Sequence, residues 1–515
     1  MSDVPPVIWF SRITRPIRTS QTIETFAAKV VLAARTLRQA RAARKQTWEN
    51  CDEAARLLFE GLFQGFHSFP PRPVAVPLGA NFYQRDALYL MPYSRELMRL
   101  MIDAALEVGL IRCEAGVRPQ GGQRGTVTTI WPSGKLLLWL EESDAEWLHL
   151  EAPDANRLIR MSDSVTNQPR RAVRDSEGRL IPGMRRNLVR INGFLSKQCI
   201  GLNLSDQALR TMALTGRNRD HDEGEIGVNF FQTQLYRVFA QGDLSKGGRF
   251  YGGWWQGVRS ELRRRILING SLTVELDFDS LALHMLYARE GLMPPQGDGY
   301  DLSFGYANKL DPRRSIVKRF VIATINDQEG HYGVSKAEQQ ILGVDNIELK
   351  RRLAVKHAPI AKYFGTGVGV ELQCEDSQIA ERVMLELLDL GETCLPIHDS
   401  FIVRRGVEQE LEQAMMSAYS SVMGQSITSS RTLEYEGPAI EMPAEHLLDA
   451  VSPGAVQEQI LGVINQHLID YSFLRNWLSS WEMAMLPEAA RVHDVLPINH
   501  RLLRRRLARA GQHKR

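Results

Sequence analysis

A strand that ends in acidic residues and turns directly into an apolar helix constrains the fold of this chain most. Residues 273–290 read TVELDFDSLALHMLYARE. The first six alternate and are rich in β-formers, which predicts a strand, and the apolar residues after Ser280 predict a mostly buried helix. Asp277 comes at the end of the strand, where a carboxylate is costly to bury unless it binds a metal or another cation. The alternative is a surface turn in which Asp277 and Asp279 cap the helix.

A second acidic residue occurs in a similar setting further along the chain. Residues 391–403 read GETCLPIHDSFIV, in which apolar residues lead into His398, Asp399 and Ser400 and then resume. This pattern predicts a β-hairpin with Asp399 at its tip. Two strand-borne acids in separate segments suit a two-metal phosphoryl-transfer site, where carboxylates hold the ions and cationic side chains hold a triphosphate.

The segment between the two acids supplies such cations. Residues 311–326 read DPRRSIVKRFVIATIN, and the Asp-Pro pair predicts a helix start. Arg314 and Lys318 share one face of that helix, and Ile322 and Asn326 continue it. Because the opposite face is strongly apolar, we expect the basic face to line a cleft, although most such faces are simply solvated.

In these three segments the chain resembles the family A DNA polymerases and the single-subunit RNA polymerases of phage and mitochondrial type. Residues 277–282 (DFDSLA) resemble the first palm motif of that family. Arg314 and Lys318 match its fingers helix. Residues 398–401 (HDSF) resemble its last palm motif, in the form closer to the RNA polymerases.

Two further segments carry the same resemblance. Residues 372–380 (LQCEDSQIA) resemble the helix before the last palm motif, and residues 243–251 (DLSKGGRFY) resemble the element with which the RNA polymerases hold the template hybrid. The motifs follow the family's order over residues 236–403. In the neighbouring stretch GGRFYGGWWQ, we expect the glycines to permit close backbone approach and the aromatic rings and Arg249 to contact nucleic acid.

The resemblance implies an α+β right-hand polymerase of palm, fingers and thumb, and it assigns roles to individual residues. Asp277 and Asp399 would bind two Mg²⁺ ions, for which Mn²⁺ can substitute, and His398 would support the primer terminus. The implied nucleotide-binding residues are Arg314, Lys318, Ile322, Asn326 and Ala282. The implied nucleic-acid contacts in this part of the chain are Arg249, Tyr251 and Gln373.

Departures from the family pattern bear on the product. Ala282 stands where the DNA polymerases have a Glu that helps to exclude ribonucleotides, and Asn326 stands where an aromatic ring is usual. The small Ala282 leaves room for a ribose hydroxyl. We therefore expect a DNA-dependent RNA polymerase or primase-like enzyme of a mobile element, with a family A type DNA polymerase as the close alternative. A hypothesis of another class is a non-catalytic DNA-binding replication initiator or regulator.

The chain as a whole is too long for one ordinary domain. We expect a helical N-terminal region (1–68), a winged-helix-like module (69–165), an Arg-rich connector with thumb-like helices (166–235), the palm and fingers (236–440), and a helix-turn-helix-like DNA-binding region (441–515). Arg118 and Arg124 would contact phosphates from the wing, and Arg504, Arg505 and Arg506 from the terminal helix. The alternatives are a small α+β subdomain without a ligand and a disordered basic tail.

Composition excludes several other classes. The net charge is only +3, so any attraction to nucleic acid must come from local clusters. The 5 cysteines are scattered without metal-ligand spacing, and neither a membrane span nor a signal peptide is recognisable. We expect a cytoplasmic protein whose partners are a DNA template, a primer or product strand, nucleoside triphosphates and other replication or mobile-element proteins. A Gly-rich GKS or GKT loop is also missing, which argues against a built-in motor.

Overall fold

The computed structural model describes residues 8–9, 21–37, 45–66, 73–76, 78, 94–117, 127–136, 155–162, 171–198, 200–202, 232–258, 260–269, 271–306, 308, 310–328 and 331–432. These residues form an α+β fold with two apolar cores. A smaller core draws on residues 23–136, and a larger core draws on residues 158–427.

The smaller core packs three helices against a four-stranded sheet. The helices are α1 (Gln21–Leu37), α2 (Lys45–Phe66) and α3 (Arg95–Glu107). The strands are β1 (Ile8–Trp9), β2 (Val74–Val76), β3 (Ile111–Glu114) and β4 (Thr128–Pro132), in the order β1-β2-β4-β3. Ser94 caps α3 by accepting a hydrogen bond from the amide of Leu97 at 3.2 Å, which satisfies one of the free N–H groups of the first turn.

The helix, strand and strand expected of a winged-helix-like module are thus present in α3, β3 and β4. Arg118 and Arg124, the wing residues of that prediction, lie outside the described residues. So do Arg504, Arg505 and Arg506 of the predicted C-terminal DNA-binding region. The domain boundaries and both DNA-binding modules therefore stay predictions.

The larger core contains two sheets. The first has the order β6-β5-β8-β9 and consists of β5 (Ile159–Ser162), β6 (Arg171–Ala172), β8 (Tyr236–Ala240) and β9 (Asp243–Tyr251). The second has the order β12-β13-β11-β10-β7 and consists of β7 (Ile200–Leu202), β10 (Ile266–Ile268), β11 (Ser271–Phe278), β12 (Leu395–Ile397) and β13 (Ser400–Arg404). A further strand, β14 (Ser429–Thr432), also pairs with β11.

Eight α-helices accompany these sheets within the described ranges. They are α4 (Ile181–Leu195), α5 (Ser260–Arg263), α6 (Leu281–Arg289), α7 (Pro312–Asn326), α8 (Lys336–Leu342), α9 (Asn346–Lys356), α10 (Gly369–Asp389) and α11 (Glu408–Met423). The predicted strand-to-helix segment is confirmed as β11 and α6, and the predicted basic helix is confirmed as α7. None of the helices in this described part combines the length and apolar content needed to cross a bilayer.

The glycine-rich stretch around β9 serves close packing within the protein. A Cβ atom at Gly248 would lie 2.8 Å from the ring of Phe239 and 3.0 Å from the hydroxyl of Ser377 on α10, so glycine lets α10 approach β9. At Gly252, a Cβ atom would lie 2.4 Å from the carbonyl oxygen of Gln234. Trp254 and Trp255 belong to the apolar core. The expected close approach at the glycines is therefore confirmed, with groups of the protein as the neighbours. Contact of the aromatic rings and Arg249 with nucleic acid stays a prediction.

Candidate active site

Strand pairing brings the two predicted acids to the same edge of the second sheet. Asp277, near the end of β11, pairs with Ser400, the first residue of β13. Ile397 also pairs with Ser400 across the β12–β13 hairpin, which leaves only His398 and Asp399 in the turn. His398 has φ of 56°, the positive value that two-residue hairpin turns demand. The predicted hairpin with an acid at its tip is confirmed.

Asp277 is held in an unfavourable electrostatic setting. Burial, reinforced by the negative charge of Asp399, raises the pKa of Asp277 to about 8, against the opposing influence of Lys318. Its Oδ1 atom is buried and accepts no hydrogen bond from any residue that the structure describes. A buried acceptor without a donor is costly. The carboxylate pair therefore has an unmet demand for a cation.

Glu275, two residues earlier on the same face of β11, shows the contrasting arrangement. Its carboxylate accepts a hydrogen bond from the Ser400 hydroxyl at 2.6 Å and forms a two-point ion pair with Arg263 at 2.8 and 2.9 Å. Glu275 is thus neutralised, and it holds the first residue of β13 in register. This contact fixes the strand that follows Asp399.

The two carboxylates fit a hard divalent cation that completes its ligand sphere from elsewhere. No group of three or more His, Cys, Asp or Glu side chains is arranged to hold a metal ion within the described ranges. Mg²⁺ commonly takes one or two carboxylates and fills its remaining positions with water and substrate phosphate oxygens. The unpaired Oδ1 of Asp277 is a suitable ligand atom for such an ion.

Helix α7 presents its two predicted cations to a buried tyrosine. Asp311 caps the helix by accepting a hydrogen bond from the amide of Arg313 at 2.9 Å. The guanidinium of Arg314 lies 5.3 Å, and the ammonium of Lys318 lies 5.8 Å, from the ring centroid of Tyr300. Lys318 acts electrostatically on Asp277. The acidic edge and the basic helix face therefore belong to one site.

The other predicted nucleotide-binding residues make contacts within the protein. Asn326 donates a hydrogen bond to the carbonyl oxygen of Ile322 at 2.8 Å, and its side chain stands against Gly369 at the start of α10. Eight residues separate Lys318 from Asn326, about 12 Å along a helix. Ala282 is partly buried and packs against the larger core. No contact joins Ile322 or Asn326 to the acids among the residues described.

Strand β9 reaches the hairpin turn from the other side. The ring of Tyr251 lies 6.1 Å from the His398 imidazole in an edge-on arrangement. Arg249 donates from Nε to Oδ2 of Asp376 at 2.8 Å. Burial and the Arg249 charge lower the pKa of His398, so this side chain is neutral near pH 7. Arg249 and Tyr251 thus flank the turn that carries Asp399.

Asp376 is a site residue to which the sequence analysis gave no role. It lies on α10, is only 3% exposed, and has its pKa raised to about 6 because burial outweighs the favourable charge of Arg249. Gln373 precedes it by three residues and is half-buried on the same helix. The Arg249–Asp376 pair joins residues far apart in sequence, and nothing in a single sequence links them.

Comparison with known proteins assigns neither a family nor a function. No protein-family model matches the chain, and no curated protein sequence matches it. Among solved structures, the chain is similar to the POL domain of Pol1 from M. smegmatis, solved in complex with DNA primer-template and dNTP. That match has 15% sequence identity and a TM-score of 0.28, and it covers 44% of this chain and 50% of that chain. So small a likeness carries no conclusion about function.

Proposed function

We propose that this protein is a template-directed nucleotidyltransferase that extends a polynucleotide from nucleoside triphosphates. The observation that carries the proposal is that Asp277 has a buried Oδ1 without a hydrogen-bond donor among the described residues and experiences the charges of both Asp399 and Lys318. Lys318 and Arg314 lie together against the ring of Tyr300. Carboxylates for metal ions beside cations for phosphates are the parts that phosphoryl transfer needs. The second sheet would be the palm, α7 would belong to the fingers, and α4 to a thumb-like region.

The acids would act as ligands of two Mg²⁺ ions. When bound, such ions lower the pKa of an attacking 3′-hydroxyl and stabilise negative charge on the leaving pyrophosphate. Asp277 would contribute its free Oδ1, and the two-residue turn would fix the direction of Asp399. A rigid ligand pair of this kind reduces the reorganisation needed during the reaction.

The basic helix face would hold the triphosphate. Arg314 and Lys318 would neutralise charge that develops on the β and γ phosphates. Tyr251, Gln373 and His398 would face the primer and template strands, while Arg249 would support the turn that carries Asp399.

The finer proposal is a DNA-dependent RNA polymerase or primase-like enzyme of a mobile element. Ala282 at the start of α6 offers no bulk against a ribose 2′-hydroxyl, and the HDSF form of the hairpin supports the same assignment. The partners would be a DNA template, a primer or product strand and nucleoside triphosphates, with other replication proteins as further candidates.

The decisive test is nucleotide incorporation on single-stranded DNA, both without a primer and with one annealed to it. NTPs and dNTPs are supplied separately with Mg²⁺ or Mn²⁺, and Asp399→Ala protein shows what depends on the proposed site. Asp389→Ala is a matched control, because Asp389 is an exposed carboxylate at the end of α10 that pairs with Arg190.

Product from NTPs alone, absent with Asp399→Ala and retained with Asp389→Ala, supports RNA synthesis. Product from dNTPs alone on a primed template identifies a DNA polymerase, whose sugar selection lies outside Ala282. No product alongside tight DNA binding contradicts the enzyme and favours the initiator.

A further inference from the structure

The loop that connects α6 to α7 is fastened by side chains of α9 and the residue that follows it. Lys356 donates from Nζ to the carbonyl oxygens of Asp298 at 2.8 Å and Asp301 at 2.7 Å. Nε2 of the fully buried His357 lies 2.9 Å from the carbonyl oxygen of Gly299. Main-chain oxygens held in this way fix a loop that contains no regular secondary structure.

This loop delivers Tyr300 and Asp298 to the basic face of α7. Tyr300 is only 3% exposed, and Arg314 and Lys318 both lie within 6 Å of its ring centroid, at 5.3 and 5.8 Å. Asp298 forms a two-point ion pair with Arg314, in which Nη2 to Oδ1 is 3.0 Å. A cation is attracted to the face of an aromatic ring, and more strongly where water is excluded.

The other end of the same tyrosine touches the acidic edge. Burial raises the pKa of its hydroxyl to about 12, and the nearby side chain of Ser280 opposes that rise. Ser280 lies between β11 and α6, three residues after Asp277. At the neighbouring Gly299, a Cβ atom would lie 2.9 Å from the side chain of Leu283, so the loop lies directly against α6. Tyr300 therefore bridges the element that carries Asp277 and the helix that carries the cations.

We infer that Tyr300 is a positioning residue of the nucleotide site, which sets the distance between Asp277 and the phosphate-binding cations Arg314 and Lys318. This inference rests on the proposed function. Long basic side chains lose rotamer freedom when they bind phosphate, and this loss weakens binding. The Tyr300 ring restricts the rotamers of Arg314 and Lys318 before the nucleotide arrives. Less side-chain entropy is therefore lost when the nucleotide binds.

The inference predicts an effect on triphosphate binding that a loss of packing elsewhere on α7 does not share. In Tyr300→Leu protein the KM for nucleoside triphosphate rises about tenfold, while kcat falls less than threefold. Tyr300→Phe keeps the ring and loses only the Ser280 contact, so its KM stays within about threefold of the natural protein. The matched control is Tyr332→Leu, because Tyr332 packs against Phe320 of the same helix at a centroid distance of 6.3 Å.

A second measurement isolates the phosphate-binding cations. Inorganic tripolyphosphate is used as a competitor of nucleotide incorporation. Its inhibition constant rises about tenfold with Tyr300→Leu and stays unchanged with Tyr332→Leu, while affinity for a DNA primer-template is the same in all variants. If Tyr300→Leu does not fold, Tyr300→Met takes its place, since it fills the space without a ring.

The inference is overturned if Tyr300→Leu leaves both constants unchanged, or if Tyr332→Leu raises them equally. Failure of the proposed function gives a different result, in which the natural protein itself incorporates no nucleotide and the inference falls with the function.

Discussion

Asp277 and Asp376 are both carboxylates that the fold withdraws from water, and they are treated differently. Asp376 forms a 2.8 Å ion pair with Arg249, and its pKa rises only to about 6 although it is the more buried of the two. For Asp277, burial and the charge of Asp399 raise the pKa to about 8, and one carboxylate oxygen has no hydrogen-bond partner among the described residues. The protein thus neutralises Asp376 with its own Arg249, whereas Asp277 requires a cation from outside the protein.

The neutralised region extends along the contact between β8, β9 and α10. Arg237 on β8 is fully buried and donates to the Ser377 hydroxyl at 2.6 Å, and it pairs with Glu381 at 3.2 Å. Burial is the main influence that lowers the pKa of Arg237, and the Glu381 charge opposes it. We call these residues, with Arg249 and Asp376, the closed junction. The charges of the closed junction hold α10 on the sheet of β8 and β9. The acids at the end of β11 and in the β12–β13 turn are instead suited to binding a cation.

The largest effect on stability should come from breaking the closed junction. Arg237→Ala removes the donors to the Glu381 carboxylate, the Ser377 hydroxyl and the Gly248 carbonyl oxygen. Removing one member of a buried ion pair costs about 3–5 kcal/mol. Urea unfolding followed by tryptophan fluorescence measures the loss, because Trp254 and Trp255 lie in the same core. A change below about 1 kcal/mol would contradict the assignment of this junction to stability.

Replacing Asp399 should instead reduce activity without reducing stability. Asp399→Asn lowers the rate of nucleotide incorporation by at least a hundredfold, or about 3 kcal/mol of transition-state stabilisation. The free energy of unfolding without metal stays the same or rises, because repulsion with Asp277 is removed. Loss of activity together with loss of stability would make Asp399 a structural residue instead.

The raised pKa of Asp277 predicts a pH dependence with a definite sign. The folded protein binds this proton more tightly than the unfolded chain does, since the pKa rises from the ordinary 3.8 to about 8. Metal-free stability should therefore fall as pH rises from 4 to 8. Mg²⁺ competes for the same carboxylate, so the increase in Tm that it causes should be larger at pH 8.5 than at pH 6. Thermal unfolding of Asp277→Asn protein is the control, and both trends should be lost there.

The smallest effect is expected where an ion pair lies in water. Arg190 and Asp389 join α4 to α10 at 2.6 Å, but their side chains are 51% and 63% exposed. Arg190→Ala should change the free energy of unfolding by less than about 1 kcal/mol, and less still at high salt. A loss of unfolding free energy as large as that of Arg237→Ala would show that solvent exposure does not determine how much an ion pair contributes to stability here.

The features that sequence predicted correctly are local ones. The strand and helix around Asp277, the hairpin with Asp399 and the capped helix of Arg314 and Lys318 each follow from periodicity or turn chemistry within about fifteen residues. Such signals do not depend on the rest of the fold.

The features that sequence missed depend on contacts through space. The role of Asp376 depends on its ion pair with Arg249 on another element. The role of Tyr300 depends on its contacts with the cations of α7. The stretch around Gly248 is ambiguous in sequence for a related reason. A glycine that allows a neighbouring helix to pack closely cannot be distinguished, in a single sequence, from a glycine that allows a phosphate to approach.

The pairing of β11 with β13 has a consequence for folding kinetics. Asp277 pairs across the sheet with Ser400, the residue after Asp399, yet five helices of the described residues, α6 to α10, separate β11 from β13 along the chain. Contacts between such distant segments form slowly, because a long loop must close first. We expect the two acids to meet late on the folding pathway. An ion that binds only the completed pair would then slow unfolding and leave the folding rate nearly unchanged.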